Sequence, residues 1–321
     1  YEVVCRQMTI GDFSMYLSSI TRLSQTLSSI ADTFSALLQE GEFLGEYRKL
    51  AERFSEGNIE AWSGCEMEPD KGMALSFEHV SFCYPGSDRL ILDDISFTLK
   101  TNQSLSIVGV NGAGKTTIVK LICRFYKPVK GKILINGVDI ALIDEEVYKK
   151  LLGVVFQDYK LFAFTLSENV ALKSSCDEAR LLDALRKADL AEKTASLEQG
   201  ARTVISKQFD DCGIELSGGE SQRLELARIL YKDPCIAIFD EPAASLDPIT
   251  EYHMYQAMHE MTQDKLSIFI SHRLASTKFT DSILVLQDGR VAEYGNFEEL
   301  MKNKNSIFYC MYAMQQEHYI I

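Results

Sequence analysis

The chain has 321 residues, a length that suits about two domains of ordinary size. Hydrophobic residues make up 46% of it, so wholesale disorder is excluded. Its 33 basic and 46 acidic residues leave a net charge of −13, which disfavours a broad basic surface for wrapping nucleic acid. We therefore expect no nucleic-acid partner, while a local phosphate site stays compatible with this charge.

A long amphipathic helix is predicted over residues 13 to about 53. Apolar side chains recur at spacings of four and three, and polar side chains repeat two positions out of phase, on the opposite face. Asp12 is the predicted N-cap, and the helix would be roughly 60 Å long at 1.5 Å per residue. The apolar stripe consists of Tyr16, Ile20, Leu23, Leu27, Ile30, Phe34, Leu37 and Leu44.

This helix has two interpretations. It packs against a partner, as in a coiled coil, or it is a membrane helix that lines a pathway and continues into the cytoplasm. Arg22 and Asp32 interrupt the best apolar stretch, residues 13–39, so hydropathy alone predicts no membrane span. Residues 1–54 form one predicted unit, and residues 55–72, which contain three glycines and five acidic residues, form a predicted linker.

From residue 73 to residue 321 the pattern changes to that of an α/β domain. Apolar runs alternate with helical stretches, which predicts a largely parallel sheet. The region from about 160 to 232 lacks such runs and is predicted to be a helical insertion. The predicted strands include 105–108, 154–156, 236–239, 268–270 and 283–286, and the predicted helices include 177–190, 220–231 and 250–262.

A phosphate-binding loop follows the first of these parallel strands. Residues 109–116 fit the pattern GxxxxGK(S/T) and precede an apolar helical run. Glycines let successive backbone N–H groups close on a phosphate at a helix N-terminus, Lys115 adds a positive charge, and Thr116 offers a hydroxyl to Mg²⁺. The predicted nucleotide-binding residues here are Gly109, Asn111, Gly112, Ala113, Gly114, Lys115, Thr116 and Thr117.

Two carboxylates end the strand over residues 236–239. The carboxyl edge of a parallel sheet would bring them beside the bound phosphates. Asp240 is a predicted Mg²⁺ ligand, and Glu241 is the predicted general base for the attacking water, a role typically worth about 10²- to 10⁴-fold in rate. Guanine specificity is not supported, because the sole Asn-Lys pair, Asn303-Lys304, has Ser306 where the guanine motif requires Asp.

A third motif, LSGGE at residues 216–220, precedes a predicted helix. The chain order of the phosphate loop, Gln157, LSGGE, the Asp240–Glu241 pair and His272 resembles the nucleotide-binding domain of ATP-binding cassette (ABC) transporters over residues 73 to about 300. The implied fold is an α/β P-loop NTPase cassette with a mixed sheet and an inserted helical subdomain. The long amphipathic or membrane helix precedes it.

The resemblance assigns further roles. Tyr84 would stack on adenine, Gln157 would contact Mg²⁺ or the attacking water, residues 246–247 would cross to a partner, and His272 would contact the γ-phosphate. Taken alone, each has an ordinary alternative: an aromatic residue packed in a turn, a polar residue after a strand, a solvated histidine. Their joint order favours the functional roles, with Lys115, Gln157, Glu241 and His272 as the catalytic set.

The resemblance also implies a second cassette. In the family, the signature residues Ser217, Gly218 and Gly219 close on the γ-phosphate held by a partner, so that two ATP molecules lie between two domains. A homodimer and a heterodimer with a related chain both fit. Glu220, where glutamine is common, is predicted to fold back onto the Ser217 amide as a capping box instead of facing the phosphate.

Two segments favour the exporter subtype. Residues 157–169 are similar to the stretch that contacts coupling helices, and residues 10–50 are similar to a last membrane helix, although residues 210–213 depart from the usual Glu-x-Gly pattern. We expect an Mg·ATP-driven subunit of an exporter, with its ATP-binding domain on the cytoplasmic side of a cell membrane. The alternatives are a soluble ABC ATPase acting on nucleic acid or the ribosome, and an importer ATPase subunit.

Overall fold

The computed structural model describes residues 9–55, 72–157, 160–207, 213–242 and 248–319. The chain divides into two compact units, residues 1–60 and 61–321. The predicted linker lies almost entirely outside the described residues. The same is true of residues 246–247 and of most of the 210–213 segment.

The described residues of the first unit form one helix, α1 (Ile10–Ser55). It starts earlier than predicted, because Thr9 and not Asp12 is the cap: the Asp12 amide donates to the Thr9 hydroxyl at 3.2 Å, and the Asp12 carboxylate accepts from the Thr9 amide at 3.1 Å. Its apolar stripe is exposed from Tyr16 to Phe34. No helix among the described residues is long and apolar enough to cross a membrane.

The second unit contains ten strands and nine α-helices among the described residues, together with three short 3-10 helices. The strands are β1 (Ala74–Phe82), β2 (Leu92–Lys100), β3 (Ser104–Gly109), β4 (Lys130–Ile135), β5 (Val138–Asp139), β6 (Leu152–Val155), β7 (Ile236–Asp240), β8 (Leu266–Ile270), β9 (Ser282–Gln287) and β10 (Arg290–Gly295). The helices are α2 (Lys115–Ile122), α3 (Glu145–Leu151), α4 (Leu166–Ala171), α5 (Glu178–Lys187), α6 (Ala191–Ser196), α7 (Gly218–Lys232), α8 (Pro248–Met261), α9 (Phe297–Lys302) and α10 (Ile307–Tyr319).

A six-stranded mixed sheet carries the parallel strands, in the order β10-β9-β3-β8-β7-β6. β3 pairs in parallel with both β8 and β9, and β7 pairs in parallel with β6 and β8. Only β10 runs antiparallel here. The five parallel strands are buried along nearly their whole length, as their continuous apolar runs require. The predicted parallel α/β core is therefore confirmed.

A second sheet of four antiparallel strands, ordered β2-β1-β4-β5, covers one side of this core. Side chains from both sheets, such as Phe77, Ile107 and Ile238, belong to one hydrophobic cluster with α2. The sequence pattern did not predict β4, β5 or β10, because these strands are short or alternate only weakly. The strand predicted at 154–156 instead spans Leu152–Val155.

Helices α4 to α7 form the predicted insertion. Apart from isolated bridges such as Thr165 with Val204, the described residues between 160 and 232 contain no strand pairing. The apolar faces of α4, α5 and α7 meet in a cluster that includes Val170, Leu185 and Leu224. This cluster also contains Phe239 and Phe269 of β7 and β8, so the insertion packs directly on the parallel sheet.

A buried polar staple joins the segment after β6 to α7. Asn169 is fully buried; its amide nitrogen donates to the carbonyls of Phe162, Phe164 and Thr165 at 2.9, 3.2 and 3.1 Å. Its amide oxygen accepts from Arg228 of α7 at 2.9 Å, and the Asn169 carbonyl accepts from Arg228 Nε at 2.6 Å. Arg228 is also paired with Glu225. One asparagine therefore fixes the 160–171 segment on the α7 helix.

Replacing Asn169 by alanine should loosen this segment before the rest of the domain. The substitution leaves buried carbonyls and part of Arg228 without partners, which should cost about 2–4 kcal/mol in unfolding free energy. Hydrogen exchange should accelerate over residues 160–171 while β3 and β8 stay protected. Asn305→Ala makes the same truncation at an exposed side chain and should leave stability within about 0.5 kcal/mol. Equal effects from the two substitutions would contradict the staple.

Candidate functional site

The predicted phosphate loop connects β3 to α2 at the carboxyl edge of the parallel sheet. Gly109 has φ 153°, and a Cβ there would lie 2.3 Å from the Leu286 carbonyl oxygen. Gly114 has φ 106°, and a Cβ there would lie 2.6 Å from Leu92 Cδ2. Both positions therefore require glycine. No side chain of the described residues caps α2 at Gly114, so its first backbone N–H groups are available to an anion.

The loop ends on Lys115, which is 6% exposed. Its ammonium donates to the carbonyl oxygens of Gly109 at 2.8 Å and Val110 at 3.2 Å. Burial lowers the pKa of Lys115, while the nearby carboxylates Glu241 and Asp240 act to raise it. The positive charge is thus held at the centre of the loop, facing the acidic end of β7.

The two predicted carboxylates lie at the end of β7, beside that ammonium. Asp240 is 1% exposed, and its Oδ1 atom has no hydrogen-bond partner among the described residues. Burial raises the pKa of Asp240 to about 6, against the opposing effect of a hydrogen bond from Thr116. Glu241 adopts a left-handed φ of 52° and its amide donates to Ile270 of β8 at 2.9 Å. Burial also raises the pKa of Glu241.

His272 follows β8 and closes the group. Its Nε2 atom pairs with Glu241 Oε1, while burial and the Lys115 charge lower the pKa of the imidazole. Gln315 of α10 donates to the His272 carbonyl and accepts from the Leu274 amide at 2.8 Å. Sequence reasoning missed Gln315, because an isolated glutamine 43 residues downstream carries no motif. The structure therefore brings Lys115, Thr116, Asp240, Glu241 and His272 close together.

Two other predicted residues make no hydrogen bond or ion pair to the described members of this cluster. Gln157 is an exposed turn residue after β6, and its side chain makes no hydrogen bond to the described part of the chain. Tyr84 follows β1 and its hydroxyl lies 3.2 Å from the Thr117 hydroxyl on α2. The Tyr84 ring contacts Tyr126 edge to face at 5.1 Å, with Lys120 5.5 Å from its centroid. Tyr84 is thus beside the loop, while its role toward adenine stays a prediction.

The signature segment begins α7, with Ser217 as the N-cap. The Ser217 amide donates to Glu220 Oε2 at 2.8 Å, and the Glu220 amide donates to the Ser217 hydroxyl at 3.3 Å. The predicted capping box is therefore confirmed. A partner that the sequence did not indicate is Lys193 of α6, whose ammonium lies 3.0 Å from Glu220 Oε1. Ser217 and Gly218 are exposed, and Gly219 is half-buried.

A separate cavity of about 750 Å³ lies between β6, the segment after it and α7. Its apolar wall includes Val154, Phe156, Phe162, Val170 and Ile229. Four lysines line it without an ion pair to any described residue, and burial lowers the pKa of one of them, Lys232. These four, which we call the basic rim, are Lys150, Lys160, Lys173 and Lys232.

Comparison with known proteins agrees with this geometry. Residues 92–244 match the family described as ABC transporter. The chain is 33% identical over 98% of its length to the mitochondrial iron-sulfur clusters transporter ATM1 of Candida glabrata, and 32% identical over 95% to the toxin RTX-III translocation ATP-binding protein of Actinobacillus pleuropneumoniae. It is 33% identical over 92% to the ATP-dependent lipid A-core flippase of Burkholderia orbicola. The chain spans 43%, 38% and 49% of these relatives.

A solved structure shows the same fold. A bacterial Atm1-family ABC exporter with ATP bound aligns over 76% of this chain and 42% of its own, with a TM-score of 0.70 and 37% identity. The matched family covers the phosphate loop, the signature segment and the acidic end of β7. The chain therefore belongs to the ABC transporter family and carries the nucleotide-binding domain of an exporter-type half-transporter.

Proposed function

We propose that this domain hydrolyses ATP with Mg²⁺ at the cluster formed by the phosphate loop, Asp240, Glu241 and His272. The observation that carries the proposal is the placement of a buried ammonium, a buried carboxylate and a second, half-buried carboxylate at the N-terminus of α2. Charged groups of this kind are rarely buried without a ligand or a reaction to serve.

The residues present fit a divalent cation. Asp240 Oδ1 is buried without a partner among the described residues, and a carboxylate oxygen in that state is a natural Mg²⁺ ligand. Thr116, whose hydroxyl acts to lower the pKa of Asp240, adds a second oxygen beside this carboxylate, and Gln157 is the third predicted ligand. Mg²⁺ held there supplies neutralising charge to the β- and γ-phosphates.

Backbone amides and side chains of the chain bind the phosphates, activate the water and hold the nucleotide. The backbone amides of residues 109–117 hold the phosphates, and Lys115 exchanges its loop carbonyls for phosphate oxygens. Glu241 accepts the proton of the attacking water, and its raised pKa brings its basicity closer to neutral pH. His272, kept neutral by burial, orients Glu241 and faces the γ-phosphate. Tyr84 provides an aromatic face for adenine.

The site is completed by a second cassette in this proposal. Ser217 and Gly218 are exposed at the start of α7. The Ser217 hydroxyl accepts from the Glu220 amide and retains a proton that it can donate, so this helix N-terminus suits the γ-phosphate of a partner's ATP. A homodimer supplies two equivalent sites, and a related chain would serve equally well. Closure of the two cassettes on ATP is the step that transmits force to a membrane domain.

The membrane domain is proposed to dock at the basic rim. A cavity with an apolar wall and four lysines that form no ion pair with the described residues suits an amphipathic helix that presents carboxylates. Relatives named as a transporter, a translocation protein and a flippase support a place at a membrane, with this domain on the cytoplasmic side and α1 adjoining the membrane domain. The substrate moved is left open.

Glu241→Gln should preserve ATP binding and abolish turnover, because the amide fits the same space but accepts no proton. Steady-state phosphate release should fall at least about 10²-fold, while ATP-bound dimers accumulate on size-exclusion chromatography. Glu298→Gln, an exposed carboxylate on α9, is the matched control and should hydrolyse normally. Turnover of the Glu241 variant within about twofold of the parent would remove Glu241 from the role of base.

Lys232→Glu should uncouple the full-length protein without damaging the ATP site. A like charge in the basic rim repels an acidic helix, so ATP-driven transport in lipid vesicles should fall by about fivefold or more. Basal hydrolysis by the detached domain should stay within about twofold. Lys130→Glu makes the same charge reversal at an exposed position on β4 and should leave transport unchanged. If Lys232→Glu transports as well as Lys130→Glu, the basic rim is excluded as the docking surface.

A further inference from the structure

Glu220 places a carboxylate within the segment that is proposed to receive a partner's γ-phosphate. The negative charge of Glu220 at this point opposes the binding of a triphosphate. Two like unit charges about 7 Å apart in an effective dielectric of 20 repel each other by roughly 2 kcal/mol. A signature segment that works with glutamate therefore needs a way to offset that charge. The capping box turns the carboxylate back toward Ser217 but leaves its charge in place.

The structure supplies the offset from a different helix. Lys193 of α6 reaches Glu220 Oε1 at 3.0 Å, while Oε2 is occupied by the Ser217 amide at 2.8 Å. The Glu220 side chain is 17% exposed and that of Lys193 is 37% exposed, so the pair is partly shielded from solvent. The hydrogen bonds from Ser217 and the ammonium of Lys193 lower the pKa of Glu220, and the carboxylate stays ionised at neutral pH.

The α6 helix holds the lysine in place. Thr194, the next residue, is buried, and its hydroxyl donates to the Leu190 carbonyl at 2.8 Å. Leu190 itself belongs to the core cluster of the helical insertion. The backbone that carries Lys193 is thus anchored, and the ammonium lies beside the start of α7 because of the fold.

We propose that Lys193 is a positioning residue for the trans-acting signature segment: it pairs with Glu220, fixes the capping box, and makes the start of α7 electrically neutral toward the triphosphate held by a second cassette. The inference rests on the proposed function, since it assumes that Ser217 and its neighbours meet a partner's nucleotide. It predicts that the net charge of the Lys193–Glu220 pair sets the strength of ATP-driven dimerisation.

The test ranks four proteins by the ATP concentration needed for half-maximal dimerisation, all in the Glu241→Gln background so that no ATP is consumed. Lys193→Met leaves the pair at −1 and should require about three- to tenfold more ATP. Glu220→Gln leaves it at +1 and should require less ATP, by under about tenfold. The double variant restores neutrality and should return close to the parent. Analytical ultracentrifugation with ATP and Mg²⁺ provides the readout.

Two controls separate this role from simple helix stability. Lys187→Met removes the same charge from a lysine that pairs with Asp183 at 2.8 Å on α5, and it should leave the ATP requirement unchanged. Lys193→Arg keeps the charge and should behave as the parent. If Lys193 only stabilised the fold, its replacement would lower the melting temperature of the monomer in both the single and the double variant. Adding Glu220→Gln to Lys193→Met would then not restore dimerisation.

The outcomes separate a failure of the proposed function from a failure of the role of Lys193. If the Glu241→Gln parent forms no ATP-dependent dimer, the proposed function fails. If that dimer forms but Lys193→Met and Lys187→Met have equal ATP requirements, the role of Lys193 is overturned while the proposed function stands. If the ATP requirement of the double variant returns to that of the parent, the inference is supported. If the double variant still needs as much ATP as Lys193→Met, the inference is overturned.

Discussion

The parallel pairing of β3, β8 and β7 is the constraint on which the site depends. Parallel strands end at the same edge of a sheet, and the register brings Asp240 opposite Ile270 while β3 ends on Gly109. The phosphate loop follows β3, Asp240 is the last residue of β7 with Glu241 next to it, and His272 lies just beyond the end of β8. Residues more than 120 positions apart in the chain therefore meet without any long side chain having to reach across.

The same edge of the sheet buries charged groups, and buried charges need compensating partners. Lys115 and Asp240 are both nearly inaccessible to solvent, where a charge without compensation costs several kcal/mol. The backbone carbonyls of the loop satisfy the ammonium, and burial leaves Asp240 with a pKa of about 6. The group is arranged so that phosphate oxygens and a cation would satisfy these charges better than the protein's own atoms do.

Local chemistry explains which parts of the site could be predicted from sequence. The phosphate loop, the Asp240–Glu241 pair and the capping box of Ser217 each depend on residues within a few positions of one another, so their patterns are visible in the chain. The contacts of Gln315 with His272 and of Lys193 with Glu220 join residues 43 and 27 positions apart. Ordinary residue types at such separations leave no pattern, and only the fold brings them together.

The same distinction holds for the fold itself. Continuous apolar runs identified the buried parallel strands, whereas β5 has two residues and β10 alternates between half-buried and exposed positions. The start of α1 was misjudged because Asp12 and Thr9 share a reciprocal cap. An acidic residue at the third helical position is as compatible with sequence rules as one at the cap, and backbone geometry decides between them.

The Asn169–Arg228 staple has a mechanical consequence. It joins one wall of the cavity bearing the basic rim to α7, a helix of 15 residues and hence roughly 22 Å long. A tilt of about 5° around the far end of such a rod displaces its first turn by about 2 Å, by simple geometry. Hydrogen bonds to a phosphate tolerate only a few tenths of an ångström. A small displacement of the cavity wall would therefore be enough to form or break the proposed hydrogen bond between Ser217 and a partner's phosphate, because the helical insertion would move as a rigid body.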